Sequence, residues 1–258
     1  MSPEDSQDIE KLRAYPHQPM ADVLQRAFAG AKDRFVLDRE MTPELIASRT
    51  EIFFRLNTRT AVDCASFAYA FEHPLNEIMD YLRESRLCFN RLLDFGTPIP
   101  LNEYSAQQSV ALILNDKNYS ERLGSLPRER YTHPDVGFDE IFFVLAEFVS
   151  LLSRGDVQAV EKRRPYAQDC VAKTSRSIRD GMNGFLNLQL AVATRNQSAL
   201  DAGLRARQTP FAKAFRNLTI RNFPTGLLDL WGLGLARLAL NSGLEVRERS
   251  VYLPLELL

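Results

Sequence analysis

Five short junctions divide this chain at nearly regular intervals, and each one separates two segments that have the composition of helices. They are His73-Pro74, Asn115-Asp116, Arg154-Gly155-Asp156, Arg195-Asn196-Gln197 and Ser242-Gly243. Counted from residues 73, 115, 154, 195 and 242, the steps between them are 42, 39, 41 and 47 residues. Helical hairpins that stack on one another repeat with periods of about 33 to 47 residues. The spacing therefore predicts a stack of helical hairpins, an architecture whose extended surface usually serves binding.

The residues at the segment ends indicate an all-α fold. Thr42-Pro43 and Thr209-Pro210 each place a capping hydroxyl before a proline, as at the start of a helix. Gly155 suits a left-handed helix end, and we expect Asn196 to adopt the same conformation at the next junction. No Asn-Gly or Asp-Gly turn joins segments of alternating polarity. Because the repeats share few side chains, the fold is predicted either as an α-solenoid-like stack of antiparallel helical hairpins or as an irregular helical bundle.

Apolar residues that recur at steps of three and four predict the positions of the helices. The predicted ranges are 20–37, 43–56, 59–72, 75–94, 103–115, 137–153, 156–163, 167–194, 197–207, 210–215 and 226–241. Two segments, 141–146 and 227–240, are apolar nearly all round, and such helices belong in the centre of a core. We expect Phe143 and Trp231 to be buried there.

The segment 117–135 shows no helical periodicity beyond one turn near residues 120–122. It contains two aromatic residues, two prolines and one histidine, namely Tyr119, Pro127, Tyr131, His133 and Pro134. A loop of this length is uncommon in a compact domain unless it has a function. We therefore predict a recognition loop between the helices that flank it.

Length and composition favour one globular helical domain over residues 1–258. The hydrophobic content of 45% and the charged content of 25% are typical of soluble proteins. Three cysteines form neither a disulfide framework nor a metal knuckle, so we expect reduced, buried thiols. The acidic N-terminus lacks a secretory signal, and the apolar run 227–240 is too short to span a membrane. We expect a cytoplasmic protein that does not contact membranes.

The formal net charge of -1 conceals an uneven distribution along the chain. Residues 162–221 contain 12 Lys and Arg and 3 acidic residues, which gives +9, whereas residues 1–161 give -9. In the basic part, Lys173, Arg176 and Arg179 recur at steps of three. One interpretation is a nucleic-acid surface that neutralises phosphates. We favour a charged face balanced by the acidic half or by a protein partner, because no nucleic-acid-binding module is recognisable.

The sequence contains no recognisable catalytic, cofactor-binding or metal-binding motif. The histidines are far apart, no HExxH or HxH spacing occurs, and no GxSxG nucleophile elbow is present. The glycines of Gly232-Leu233-Gly234 lie in an apolar helical segment without a preceding strand, so close helix packing explains them better than dinucleotide binding. Carboxylate pairs such as Asp80 and Glu84 fit a solvated helix face. We therefore expect no enzymatic activity, no cofactor and no metal.

The C-terminal part of the chain carries a recognisable pattern. Its pieces are Pro224-Thr225-Gly226-Leu227-Leu228, Leu235-Ala236-Arg237-Leu238-Ala239, Gly243-Leu244-Glu245-Val246 and Tyr252-Leu253-Pro254-Leu255-Glu256-Leu257-Leu258. This pattern, over residues 180–258, resembles the end of bacterial immunity proteins of polymorphic toxin systems, in particular the all-helical immunity protein forty-nine family. The final segment is too apolar to remain in solvent, so we expect a short extended terminus docked on the helices.

The resemblance implies a protein that binds a co-produced toxin domain and occludes its active site. A toxin that acts on nucleic acid often has a basic cleft, so the acidic part of this chain would be the natural contact. The candidate partner-binding residues are Tyr131, His133, Asp135, Asp139 and Glu140. The alternative function is a helical-repeat adaptor or a nucleic-acid-binding regulator that uses residues 162–221. A third class, an enzyme with dispersed acidic residues, would require a metal or cofactor.

Overall fold

The computed structural model describes residues 29–30, 33, 51–132, 140–216, 228–250 and 252–258. Nine α-helices lie in these ranges: α1 (Glu51–Ala70), α2 (Leu75–Asp94), α3 (Leu101–Ile113), α4 (Lys117–Gly124), α5 (Ile141–Ser153), α6 (Val157–Lys173), α7 (Arg176–Ala193), α8 (Gln197–Arg216) and α9 (Leu230–Asn241). Two-residue strands β1 (Ile99–Pro100) and β2 (Tyr131–Thr132) pair in parallel. Short 3₁₀ helices occupy Arg128–Arg130 and Leu255–Leu257. The prediction of an all-α fold is confirmed.

Four of the five predicted junctions contain a residue in the left-handed conformation, and at the first junction, His73-Pro74, that residue comes directly before it. These residues are Glu72, Asn115, Gly155, Arg195 and Gly243, with φ between 51° and 80°. The residue that follows each one donates its backbone N–H to the carbonyl five residues earlier. The pairs are His73 to Ala68, Asp116 to Ala111, Asp156 to Leu151, Asn196 to Ala191 and Leu244 to Ala239, at 2.8–3.0 Å. This hydrogen bond is the signature of a Schellman helix end, so one local motif recurs at all five junctions.

At three of the junctions, the residue whose N–H closes one helix also caps the start of the next helix. The side chains of Asp116, Asp156 and Asn196 accept hydrogen bonds from the backbone N–H three residues later, at 3.0–3.1 Å. Asn196 was expected to be the left-handed residue, and this expectation is wrong. Its side chain caps α8, so the left-handed conformation falls on Arg195.

Three predicted helix breaks are also wrong. Asn57 and Thr58 do not end a helix, because their side chains are buried and donate to the carbonyls of Phe53 and Phe54 one turn earlier. Helix α6 continues through Pro165, since Ala167, Cys170 and Val171 beyond it are buried. Helix α8 likewise runs through Pro210. A proline removes one helical hydrogen bond but does not end a helix whose following turns are held in place.

The segment 117–135 is more regular than predicted as far as Thr132. Asp116 caps α4, and Tyr119 and Leu123 lie one turn apart on its buried face. A 3₁₀ turn then leads into β2, whose Tyr131 pairs with Ile99 of β1. The prediction of an irregular loop is therefore wrong for residues 117–132, and residues 133–135 lie outside the described ranges.

The chain divides into two compact units, which are described separately. Unit 1 comprises residues 1–97, 210–229 and 249–257. In its described part, α1 packs on α2, and the buried Ser85 hydroxyl donates to the carbonyl of Thr58. Tyr252 and Leu253 are buried as well, and the carbonyl of Tyr252 accepts a hydrogen bond from the backbone N–H of Asp229 at 2.7 Å. The prediction of one domain over residues 1–258 stays a prediction.

Unit 2 comprises residues 98–209, 230–248 and 258, and it contains both of the strongly apolar helices. Eight residues of α9 are buried, and α9 packs along α3. A Cβ atom on Gly234 would lie 3.0 Å from Cα of Ser109, so this glycine permits the close approach of the two helices. Phe143 and Trp231, which were expected to be buried, are only partly covered. Among the described helices, none has the length and apolar character needed to cross a membrane.

Replacing glycine by alanine should have opposite effects on stability at a left-handed junction and inside a helix. Gly155 has φ +74°, and a Cβ there meets no atom within 4 Å, so Gly155→Ala introduces backbone strain without a clash. We expect it to lower the free energy of unfolding by about 1–2 kcal/mol. Gly184 lies inside α7 with equal space around it, so Gly184→Ala should raise that free energy by about 0.5–1 kcal/mol. Urea unfolding of both variants tests the pair, and equal effects of the same sign would contradict it.

The close contact between α3 and α9 predicts that a larger residue at position 234 destabilises the protein. Gly234→Ala places a methyl group against the backbone of Ser109, so the helices must separate or shift. We expect a loss of about 1–3 kcal/mol in the free energy of unfolding, as is usual for an overpacked core. Thermal unfolding followed by circular dichroism measures this loss. An unchanged midpoint would show that the two helices are not in close contact at this point.

Candidate functional site

A half-open cavity of about 250 Å³ lies within unit 2, among α3, α4, α5 and β2. Charged and hydroxyl-bearing side chains form much of its wall. They are Tyr104, Arg128, Tyr131, Glu140, Glu147, Ser150, Arg154 and Arg163. Leu101, Leu126, Phe143 and Val144 supply apolar surface between them. The combination of an apolar wall with a few convergent polar groups is typical of a binding site.

The floor of the cavity is held by a buried hydrogen-bond network. The Tyr104 hydroxyl donates to the carbonyl of Leu123 at 3.0 Å. Nε2 of Gln108 lies 3.1 Å from the Tyr104 hydroxyl, 2.8 Å from Oγ of Ser150 and 2.8 Å from the carbonyl of Ala146. These contacts connect α3 to α4 and α5. Because Tyr104, Gln108 and Ser150 bond to one another, this network holds the helices around the cavity in place.

Aromatic rings form one side of the cavity. The ring centroid of Tyr131 lies 4.5 Å from that of Tyr104 and 6.3 Å from that of Phe143. The pairing of Tyr131 with Ile99 fixes the backbone behind the ring. Burial raises the pKa of Tyr104 and of Tyr131 above the ordinary tyrosine value. Both hydroxyls are therefore neutral near pH 7 and add no negative charge to the cavity.

Two of the three arginines in the wall are each held by a carboxylate and an aromatic ring. Arg128 forms an ion pair with Glu140 and lies 4.9 Å from the centroid of the Phe143 ring. Arg163 forms an ion pair with Glu147 and lies 5.8 Å from the Tyr166 ring. The Tyr166 hydroxyl donates to the other oxygen of Glu140 at 3.1 Å. This hydrogen bond is the main reason why the pKa of Tyr166 rises to about 12.

Arg154 differs from the other two arginines. Within the described part of the chain, its guanidinium group has no ion pair and no hydrogen bond. It follows the last turn of α5, and its Nη1 lies 3.6 Å from the point where a Cβ on Gly124 would stand. Gly124 thus leaves room for this side chain beside α4. With two paired arginines and one unpaired, the described side chains of the cavity carry a net positive charge.

Two of the five predicted partner-binding residues lie in this cavity. Tyr131 belongs to its aromatic side and Glu140 to its rim. Glu140 is not a free acidic group, because Arg128 and Tyr166 bind both of its oxygens. His133, Asp135 and Asp139 lie outside the described residues. A role of these five residues in binding a partner stays a prediction.

Sequence analysis did not identify the other residues of the site. Arg154 was interpreted only as part of a turn, and Arg163 only as part of the basic stretch. Gln108 and Glu147 occur on helices whose pattern indicates core packing, and neither belongs to a motif. A polar residue on a strongly apolar helix, such as Glu147 or Ser150 on α5, was the one available signal that this helix lines a polar space.

Among its described residues, the basic stretch does not form a continuous row of unpaired charges. Arg163, Arg164 and Lys173 form ion pairs with Glu147, Glu161 and Asp169, respectively. The Arg179 guanidinium donates two hydrogen bonds to the carbonyl of Thr174, which satisfies the end of α6. Arg176 is exposed at the start of α7. The described residues do not include the side chains of Lys213 and Arg216 or any part of Arg221.

The thiols and the metal-ligating residue types form no centre in the described ranges. Cys64 and Cys170 are buried, and Cys88 is partly buried. No group of three or more His, Cys, Asp or Glu residues is arranged to hold a metal ion in the described part of the chain.

Comparisons with protein-family models, with curated proteins and with solved structures find no match to this chain.

The buried tyrosines predict how stability depends on pH. A pKa above the unfolded value of about 10 means that the folded protein holds the phenolic proton more tightly. The contribution is complete below pH 10 and is lost as the pH rises above it. Tyr131→Phe removes an ionisable group whose hydroxyl makes long hydrogen bonds to the carbonyls of Leu126 and Leu123, at 3.3 and 3.4 Å. We expect a smaller loss of unfolding free energy between pH 9 and about pH 11 in urea titrations, and an identical loss would contradict the burial of this hydroxyl.

Proposed function

We propose that the protein is a bacterial immunity protein, which binds a cognate toxin domain and occludes its active site. The sequence resemblance over residues 180–258 supports the assignment to toxin immunity. The recurrent Schellman junctions support the accompanying proposal that the helices form stacked antiparallel hairpins. Burial of Tyr252, Leu253 and Leu257 supports a C-terminal segment docked on the helices. We further propose that the protein acts in the cytoplasm, without a cofactor and without catalysis of its own.

The cavity in unit 2 is the observation that carries the binding part of this proposal. It combines an unpaired guanidinium group with aromatic surface, and its floor is stabilised by internal hydrogen bonds. Arginine and tyrosine are the residues that most often provide binding energy at protein interfaces. A partner protein that covers this cavity would contact both polar and apolar groups of its wall.

The charge of the cavity bears on how the partner is recognised. Glu140 is neutralised by Arg128, so among the described residues of the cavity Arg154 is the charged group that has no ion pair. We therefore place Arg154 at the contact, where it meets an acidic group of the toxin domain. The sequence-based expectation that Asp135, Asp139 and Glu140 meet a basic cleft of the toxin is tested separately below.

The alternative, nucleic-acid binding through residues 162–221, has less support. Binding to phosphates needs several unpaired basic side chains along one surface. Four of the described basic residues in this stretch, Arg163, Arg164, Lys173 and Arg205, are already paired with carboxylates, and Arg179 caps a helix end. We retain this alternative as an outcome of the experiment through Arg176, which is exposed and outside the cavity.

Co-expression tests the proposal. The toxin domain encoded beside this gene should arrest growth when expressed alone, and the full chain should restore growth and form a stoichiometric complex on size-exclusion chromatography. Arg154→Glu should weaken the complex at least tenfold, because it places a negative charge opposite an acidic group. Failure of the full chain to protect cells or to bind the toxin domain contradicts the proposal.

Matched variants separate the possible contacts. Arg176→Glu makes the same charge change outside the cavity and should leave toxin binding unchanged. If Arg176→Glu abolishes binding while Arg154→Glu does not, the basic stretch is the contact surface and our placement is wrong. Charge reversal at Asp135, Asp139 and Glu140 together tests the acidic patch, and unchanged affinity would exclude it.

A further inference from the structure

The arginine-lined cavity has the features of a binding site for one particular chemical group. Among the described residues, its three guanidinium groups meet two carboxylates, those of Glu140 and Glu147. Arg154 is left without a hydrogen bond or an ion pair among the described residues. A guanidinium group presents five N–H donors in a plane, and its best partner is an oxyanion that accepts two of them side by side.

Neighbouring residues hold Arg154 at the wall of the cavity. The backbone N–H of Arg154 donates to the carbonyl of Leu151 at 3.2 Å, and that of Gly155 donates to the carbonyl of Leu152 at 3.0 Å, so the backbone of Arg154 is fixed at the end of α5. The Schellman turn at Gly155 and Asp156 then directs the chain away into α6. On the other side, Gly124 lies against Ser150 and beneath the Arg154 guanidinium. The backbone of Arg154 is therefore fixed by the end of α5, while its exposed guanidinium group lies beside Gly124 of α4.

The charge balance of the cavity favours an anion with a single negative charge. One unpaired guanidinium group compensates one charge, whereas a phosphate monoester carries nearly two at neutral pH. The carboxylates of Glu140 and Glu147 line the same space and would repel the additional charge. Because the hydroxyls of Tyr104 and Tyr131 bond to backbone carbonyls, they offer no protons for a third phosphate oxygen.

The shape and lining of the cavity fit the stem that carries such a group. A volume of about 250 Å³ is enough for a short side chain but less than that of most sites for drug-sized ligands. Leu101, Leu126 and Phe143 provide apolar surface for one or two methylene groups. A carboxylate on a short aliphatic stem is the chemistry of an aspartate or glutamate side chain.

We propose that this cavity binds the carboxylate of an acidic side chain presented by a partner protein, and that Arg154 is the residue that recognises it. The identification of the partner as a toxin domain rests on the proposed function, but the chemistry of the cavity does not. An experiment on the isolated full-length chain therefore tests the cavity independently of any toxin.

The probe is N-acetyl-glutamate amide, which has one carboxylate and no other charge. We expect saturable shifts in ¹H–¹⁵N NMR spectra, including the arginine Nε–Hε signals, with a dissociation constant on the order of 10 mM. N-acetyl-glutamine amide, the neutral isostere, should give no saturable shift. N-acetyl-phosphoserine amide should bind more weakly than the glutamate probe.

Three variants assign the binding to Arg154. Arg154→Ala should weaken binding of the glutamate probe at least tenfold, and Arg154→Lys should weaken it less, because it keeps the charge but loses the paired donors. Arg176→Ala removes an exposed arginine outside the cavity and should leave binding unchanged. The backbone amide spectrum of each variant shows that the fold is retained.

Several results overturn the proposal. They are the absence of saturable binding at about 50 mM probe, equal binding of the neutral isostere, tighter binding of phosphoserine, or unchanged binding in Arg154→Ala. Carboxylate binding without protection from the toxin would contradict the proposed function and leave the cavity assignment intact. Protection from the toxin without carboxylate binding would do the reverse.

Discussion

One backbone hydrogen bond recurs at the junctions of this protein, and the path of the chain depends on it. At the five junctions, the residue after the left-handed position donates to the carbonyl five residues earlier, which closes one helix and turns the chain sharply. At three junctions the same residue then caps the next helix through its side chain. Few residues are needed to reverse the chain, so consecutive helices remain close in sequence and in space.

The candidate site follows from one of these turns. Arg154 occupies the last position before the left-handed Gly155, and the turn fixes its backbone at the end of α5. Polar residues then define the space in front of it. Gln108 and Ser150 join α3 to α5, while Gly124 lets α4 approach closely. The backbone of this turn is structural, and the side chain of Arg154 that it carries is the proposed binding group.

Local chemistry explains which parts of the fold were predictable. Helix α2 was predicted over its whole length, because its apolar residues recur on one face and its ends carry a proline and a glycine. The junctions were located because glycine, asparagine and aspartate have strong conformational preferences at helix ends. Breaks were wrongly placed at Asn57 and Pro165, where local preference opposes the helix but burial of the neighbouring turns maintains it. Burial depends on distant residues and has no local signature.

The sequence by itself determined that this protein is helical and where most of its helices end, since helix periodicity and end-capping act over a few residues. It also indicated Tyr131 and Glu140 as residues of interest. Only the tertiary structure decided that these two lie in one cavity with Arg154, and that Glu140 is neutralised by Arg128. Ion pairing and cavity formation bring together residues that are far apart in sequence, such as Tyr104 and Arg163. Once these ion pairs have formed, Arg154 is the charged group left unpaired among the described residues of the site. No local sequence pattern indicates which group that is.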